Sequence, residues 1–234
     1  MQSFKQRSYQ KELLDGHDIP FAAIEQNMRE LDNINRRLGG HAITLKGVKL
    51  LLTAREKVVE PVHIVEIGCG GGDNLRAIKT WTDKQGVAVR FTGVDINREC
   101  IQYAKEQEAN RDIRFICSDY KQVEFDSPPA IIFSSLFCHH FTEEELLHQL
   151  CWMNRNSTTG FFINDLHRHR AAFYSIKLLT RFFSKSYLVK NDAPLSVQRG
   201  FRRKEWQELF REAGIESYTC SWQWAFRWLI VCSK

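Results

Sequence analysis

Apolar positions recur with two periods along the chain. Short runs rich in β-branched and aromatic residues predict strands at "VHIVEI" (62–67), "VRFTGVDI" (89–96), "IRFICSD" (113–119), "AIIFSSLF" (130–137) and "GFFINDL" (160–166). Helical spacing follows the first run at Leu75, Ile78 and Trp81. It follows the second at Ile101 and Ala104, with Asn97 placed to cap. After the breaker Pro128-Pro129 and the fourth run, Thr142 and Glu145 form a capping box ahead of Leu146, Leu150 and Met153. Strands alternating with helices predict a parallel sheet covered on both faces. Residues 1–57 show helical periodicity broken at "RRLGGH" (36–41) and read as a helical N-terminal cap. Near the other end, Trp206, Leu209, Phe210 and Ala213 share one helix face that stops at Gly214. "IESYTCSW" and "FRWLIVCSK" read as two last strands, a hairpin closing the sheet edge.

Composition changes this picture little. The 234 residues suffice for one sizeable core, and 43% hydrophobic with 26% charged content is ordinary for a globular protein. A net charge of +5 is compatible with an acidic substrate, nucleic acid or a membrane surface and selects none. The seven cysteines have no C-x-x-C spacing and sit mostly in apolar runs, so reduced thiols and a cytoplasmic location are expected. No apolar h-region opens the chain, and no run approaches the ~18 residues that span a bilayer.

The candidate chemistry begins at "VEIGCGGGDN". Glycines between a first strand and a first helix let a ligand reach the main chain, and the helix N-terminus offers free N–H groups. A G-x-G-x-x-G fingerprint fails because Asp73 stands at its third glycine. What fits is an acid followed by alternating glycines: Glu66, Gly68, Gly70 and Gly72. No Lys-Ser/Thr pair follows, which excludes a P-loop. Asp95 ends the second strand, where an acid binds ribose hydroxyls, and Asp119 ends the third at the same sheet edge.

"VEIGCGGGDN", "GVDIN", "FICSDY" and "FSSLFCHHF" resemble, in order and spacing, the motifs of class I S-adenosylmethionine-dependent methyltransferases over residues 58–234. The resemblance implies an α/β, Rossmann-like, seven-stranded mostly parallel sheet with helices on both faces and an antiparallel last strand. It implies S-adenosylmethionine as cofactor. Glu66, Gly68 and Gly70 would shape the methionine pocket, with Asp95 on the ribose, Ile96 on the adenine, Asp119 near the adenine amino group and Ser135 near the methionine end; Gly72 and Tyr120 complete the expected cofactor-binding set.

Methyl transfer from a sulfonium needs alignment, exclusion of water and, for an oxygen acceptor, a base. "FCHHF" supplies His139 and His140; "NDLHRHR" supplies Asp165, His167 and His169. His167 and His140 are the expected bases, His167 ahead of His140, with Asp165 placed to orient an imidazole or bind the acceptor. The spacing lacks the acid/His set of a helical zinc site, so no metal is expected. "AAFYSIKLLTRFFSKSYLVK" (171–190) reads as an inserted basic amphipathic lid helix that could line an apolar acceptor pocket or touch a membrane peripherally. The chain is also similar to methyltransferases associated with type III polyketide synthases, which implies O-methylation of a small apolar aromatic or polyketide-like acceptor. The alternatives are a quinone-type C-methyltransferase and, behind it, an RNA-modifying methyltransferase or a cofactor-binding protein without turnover. Nucleic acid is not expected, because "SSLF" stands where base-modifying enzymes carry N-P-P-Y/F. Oligomeric state is not legible.

Overall fold

A computed structural model describes residues 4–16, 18–54 and 61–234. The expected boundary between residues 57 and 58 lies outside the described residues. Seven strands form one sheet: β1 (Val62–Ile67), β2 (Val89–Asp95), β3 (Ile113–Cys117), β4 (Ile131–Ser135), β5 (Gly160–Leu166), β6 (Thr219–Gln223) and β7 (Arg227–Ser233), in the order β3-β2-β1-β4-β5-β7-β6. β1 to β5 are mutually parallel, and β7 runs antiparallel between β5 and β6. The expected C-terminal hairpin is present. Its second strand takes the inner place, leaving the half-exposed β6 as the edge.

The strand readings hold because both faces of the sheet are covered, so every residue of β1 and β4 is buried. One face receives α2 (Gly40–Ala54), α3 (Asp73–Gln85) and α4 (Arg98–Glu106): Val48, Leu51, Leu75, Ile78 and Ile101 pack with Ile64 and Phe133. The other receives α5 (Glu143–Asn156) and α8 (Arg203–Glu212): Leu146, Leu150, Trp206 and Phe210 pack with Val65 and Ile132. The Thr142–Glu145 capping box and the Asn97 cap both form. Within the expected cap, α1 (Phe21–Arg37) borders the cavity described below, whereas α2 belongs to the sheet's own helix layer.

The expected single helix over 171–190 is instead two, α6 (Arg170–Phe183) and α7 (Tyr187–Arg199), which turn at Ser184–Ser186. Ser186 caps α7 by accepting from Val189 N–H. Glu30 of α1 accepts the N–H groups of Lys185 and Ser186, each at 3.0 Å, and the Ser184 hydroxyl. The chain reverses strand order between β1 and β4, and the crevice opens at the carboxyl ends of these two strands.

Candidate active site

Gly68, Gly70 and Gly72 all have positive φ, but different neighbours hold them as glycine. A Cβ on Gly68 would collide with the Phe137 ring, and one on Gly72 would stand 2.7 Å from Phe115. A Cβ on Gly70 would meet only Met28 Sδ at 3.5 Å. Gly70 therefore leaves space for a ligand, while Gly72 serves internal packing and does not border the cavity.

The tip of β2 ties into this loop. Asp95 accepts Gly70 N–H at 2.8 Å on one oxygen and Asn97 N–H at 2.9 Å on the other, and burial raises its pKa. Ile96 beside it is 73% exposed and borders the cavity, an apolar face awaiting a cover. Asp119 and Tyr120 do not border the cavity: Asp119 caps the next turn through Lys121 N–H, and Tyr120 is buried edge-on to Trp152 and Phe137. Ser135 does border it and accepts from Asn164 Nδ2. Glu66 is fully buried. Asn74 donates to its Oε1 at 2.9 Å, while Oε2 has no partner. Burial first, then Asp73, pushes its pKa well above the ordinary carboxylate value, which favours its protonated form.

Arg227, which the sequence reading passed over, also reaches the cavity wall. Its Nη2 donates to Asn35 Oδ1 at 2.8 Å, its Nη1 is buried with no partner, and burial lowers its pKa to about 10. Nothing in "FRWLIVCSK" marks it. Only the pairing of β7 with β5 brings it to this edge.

The expected histidine arrangement is rewired. Asp165 is fully buried and accepts from Nδ1–H of His139 at 2.8 Å, so the imidazole it orients is that of His139 and not His167. His167 extends the ladder past β5: its N–H donates to Phe226 O, and its ring packs against Trp228 and His169. It does not border the cavity, and burial followed by His169 lowers its pKa to about 4. His140 does border the cavity and bonds Asp15 Oδ1 through Nδ1 at 3.1 Å. Glu12 completes the group, with Oε1 3.5 Å from His139 Nε2 and Oε2 3.8 Å from His140 Nε2. Burial opposes a charge on His139, but Asp165 and then Glu12 outweigh it and raise its pKa to about 9. Arg199 braces the turn, donating to His139 O, His140 O and Asp15 Oδ2. Glu12 and Asp15 lie in an N-terminal segment without a motif, and no local signal points to them.

These groups share one cavity of about 1030 Å³. Gly70, Asp95 and Ile96 border it together with Glu12, His139 and His140, and Leu14, Ile19, Ile176, Leu179 and Val189 make apolar wall.

Residues 64–157 match the family model described as "Methyltransferase domain". The plantazolicin methyltransferase BpumL, solved with SAH, superposes with a TM-score of 0.65 at 17% identity, over 92% of this chain and 95% of that one. Human N-acetylserotonin methyltransferase, solved with SAM, gives 0.64 at 16%, over 92% and 56%. Magnesium protoporphyrin IX methyltransferase from Synechocystis PCC 6803, with bound SAH, gives 0.54 at 13%, over 86% and 87%. No curated protein matches the chain. The match to the methyltransferase domain spans residues 64–157, and the chain shares the fold of these methyltransferases, which were solved with SAM or SAH.

Proposed function

We propose, from this domain match and shared fold, that the chain transfers a methyl group from S-adenosylmethionine to an oxygen of a small, apolar, aromatic or polyketide-like acceptor. The observation that carries the reading is the single cavity joining the glycine loop to an apolar chamber with an acid–histidine cluster in its wall. The side chains fit the cofactor. Gly70 leaves room for it, Asp95 keeps lone pairs free for two ribose hydroxyls, and Ile96 offers a face to the adenine. The unpartnered Arg227 Nη1 and Glu66 Oε2 suit the methionine carboxylate and ammonium groups respectively. When bound, the cofactor supplies an activated methyl group on a sulfonium.

The chain's part in this reading is alignment and proton removal. The apolar walls from α1, α6 and α7 hold the acceptor and exclude water. The acceptor hydroxyl sits at the cluster of Glu12, His139 and His140, where it gives up its proton as the oxygen attacks. His167, which does not border the cavity, has no part in this reading. The test is transfer of isotopically labelled methyl to a panel of phenols, pyrones and quinones, with the product's methyl position read by mass spectrometry and NMR. Label on ring carbon would replace this reading with C-methylation, and cofactor binding without any product would end it.

The outward face of α6 bears on delivery of such acceptors. Leu178, Phe182 and Phe183 are exposed beside Lys177 and Arg181, while Ile176 and Leu179 of the same helix line the cavity. This face suits an anionic membrane surface from which an apolar acceptor would enter. Co-sedimentation with phosphatidylglycerol vesicles is expected, weakened by salt and by Phe182→Ser with Phe183→Ser. Equal recovery without vesicles would count against it.

A further inference from the structure

Three side chains at the cavity wall have the makings of a metal centre. Glu12, His139 and His140 each offer a ligand atom, and these atoms lie within 4.8 Å of one another. His139 Nε2 is buried and has no hydrogen-bond partner. Its 3.5 Å to Glu12 and the 3.8 Å from His140 Nε2 to Glu12 exceed the 2.7–3.2 Å of an N–H···O bond. They are close to the ~3.4 Å that separates two donors each about 2.0–2.2 Å from one tetrahedral ion. We propose that Glu12, His139 and His140 bind a divalent first-row transition ion such as zinc or iron, in a two-histidine, one-carboxylate set with its remaining positions open to the cavity.

The surroundings supply what such a centre needs. Each histidine bonds a carboxylate through Nδ1, His139 to Asp165 at 2.8 Å and His140 to Asp15 at 3.1 Å, which leaves both Nε2 atoms as the donors. This outer carboxylate on each ring is the arrangement that orients metal-bound histidines. Glu12, Asp15 and Asp165 set three carboxylates around His139 and His140, negative charge that favours a cation at this place. A second acid–histidine group among the described residues, Asp32, His41 and Asp73, is already closed. His41 Nε2 bonds Asp73 at 2.8 Å, and Asn35 and Arg76 hold the carboxylates.

The site stands on this geometry, while its role rests on the O-methylation reading above. An acceptor hydroxyl on the ion would lose its proton to solvent more readily. The new O–C bond then forms as the S–C bond breaks, the sulfur keeping that electron pair as a neutral thioether.

The test uses the full chain, dialysed against a chelator and titrated with Co(II). One equivalent should bind with a visible ligand-field spectrum and be displaced by Zn(II). Glu12→Gln and His139→Ala, with His140→Gln as an independent variant, should each weaken Co(II) binding at least a hundredfold, and Asp165→Asn about tenfold to a hundredfold. Affinity for the demethylated cofactor, measured by calorimetry, shows that a variant is folded. His41→Ala should leave Co(II) binding unchanged. No saturable spectrum, or binding that survives Glu12→Gln and His140→Gln in folded protein, would overturn the site. Turnover unchanged by metal removal would overturn its role in activating the acceptor. Co(II) bound without O-methyl product from any acceptor would overturn the methylation reading and leave the site standing.

Discussion

Gly70 and Gly72 look alike in the sequence and part company in the structure. At Gly70, φ is +48° with open cavity beyond the Cβ position, so Gly70→Val should cost the fold about 1–2 kcal/mol of backbone strain and the cofactor about tenfold or more in affinity. At Gly72 the Cβ would press on Phe115, and overpacking with strain should cost about 2–4 kcal/mol in Gly72→Ala, with cofactor affinity held in the protein that remains folded. Thermal melts and calorimetry on both variants separate the two roles. Equal loss of affinity in both would mean that the loop acts as one unit. Glu66 gives a second prediction. Burial and Asp73 favour its protonated form in the free protein, and a cofactor ammonium placed at Oε2 would stabilise its charged form, so binding should release a proton. Calorimetry of cofactor binding in buffers of different ionisation enthalpy measures that proton, and Glu66→Gln should abolish its release. At this scale the sequence exposes the groups held by local backbone. Asp95 and Gly70 are legible because a strand end and the next loop fix both. Glu12, Asp15 and Arg227 are not, because only tertiary pairing carries them to the site. Asp165 and His167 seemed partners by proximity in sequence, but the side chain of Asp165 turns to His139 while the ladder with the β7 hairpin draws His167 away.

Among the elements, the five parallel strands were readable because burial on both faces leaves continuous apolar runs. The turn between α6 and α7 was not. Helical spacing runs through Ser184–Ser186, and what stops the helix there is Glu30, a residue of α1 far away in sequence. Its carboxylate takes two backbone N–H groups that a turn would otherwise leave without partners, a role equivalent to a cap supplied in trans. Glu30→Ala should destabilise the protein by about 1–3 kcal/mol and speed hydrogen exchange at Lys185 to Val189 more than in the sheet. Since α1, α6 and α7 all wall the cavity, the same variant should raise the acceptor KM with little effect on cofactor affinity. Uniform exchange across the chain would show that Glu30 serves general stability and does not pin this corner.

At the scale of the whole molecule, acid sensitivity follows from histidines that fold in the neutral form. His63 on β1 accepts from Arg90 Nη2 at its Nδ1 and bonds the Thr92 hydroxyl through Nε2, an arrangement that leaves no place for a second ring proton. Burial is the main cause of its lowered pKa, Arg90 and Arg114 add to it, and Asp126 opposes, for a value of about 4 against an ordinary 6.5. His167 is likewise at about 4, through burial and then His169, Arg202 and Arg168. Both groups bind fewer protons folded than unfolded as the pH drops below 6.5. Their contribution is therefore complete above pH 6.5 and is lost as the pH falls through 6.5 towards 4. After screening by solvent each is worth about 1–2 kcal/mol. The fall should be shared between two distant places, β1 at the middle of the sheet and the end of β5 beside the hairpin, so each single replacement should remove part of the slope. Urea unfolding at pH 7 and pH 4.5 measures this: His63→Gln should lose stability at pH 7 yet narrow the difference between the two pH values. An unchanged difference in His63→Gln and in His167→Gln would place the acid sensitivity in the carboxylates instead.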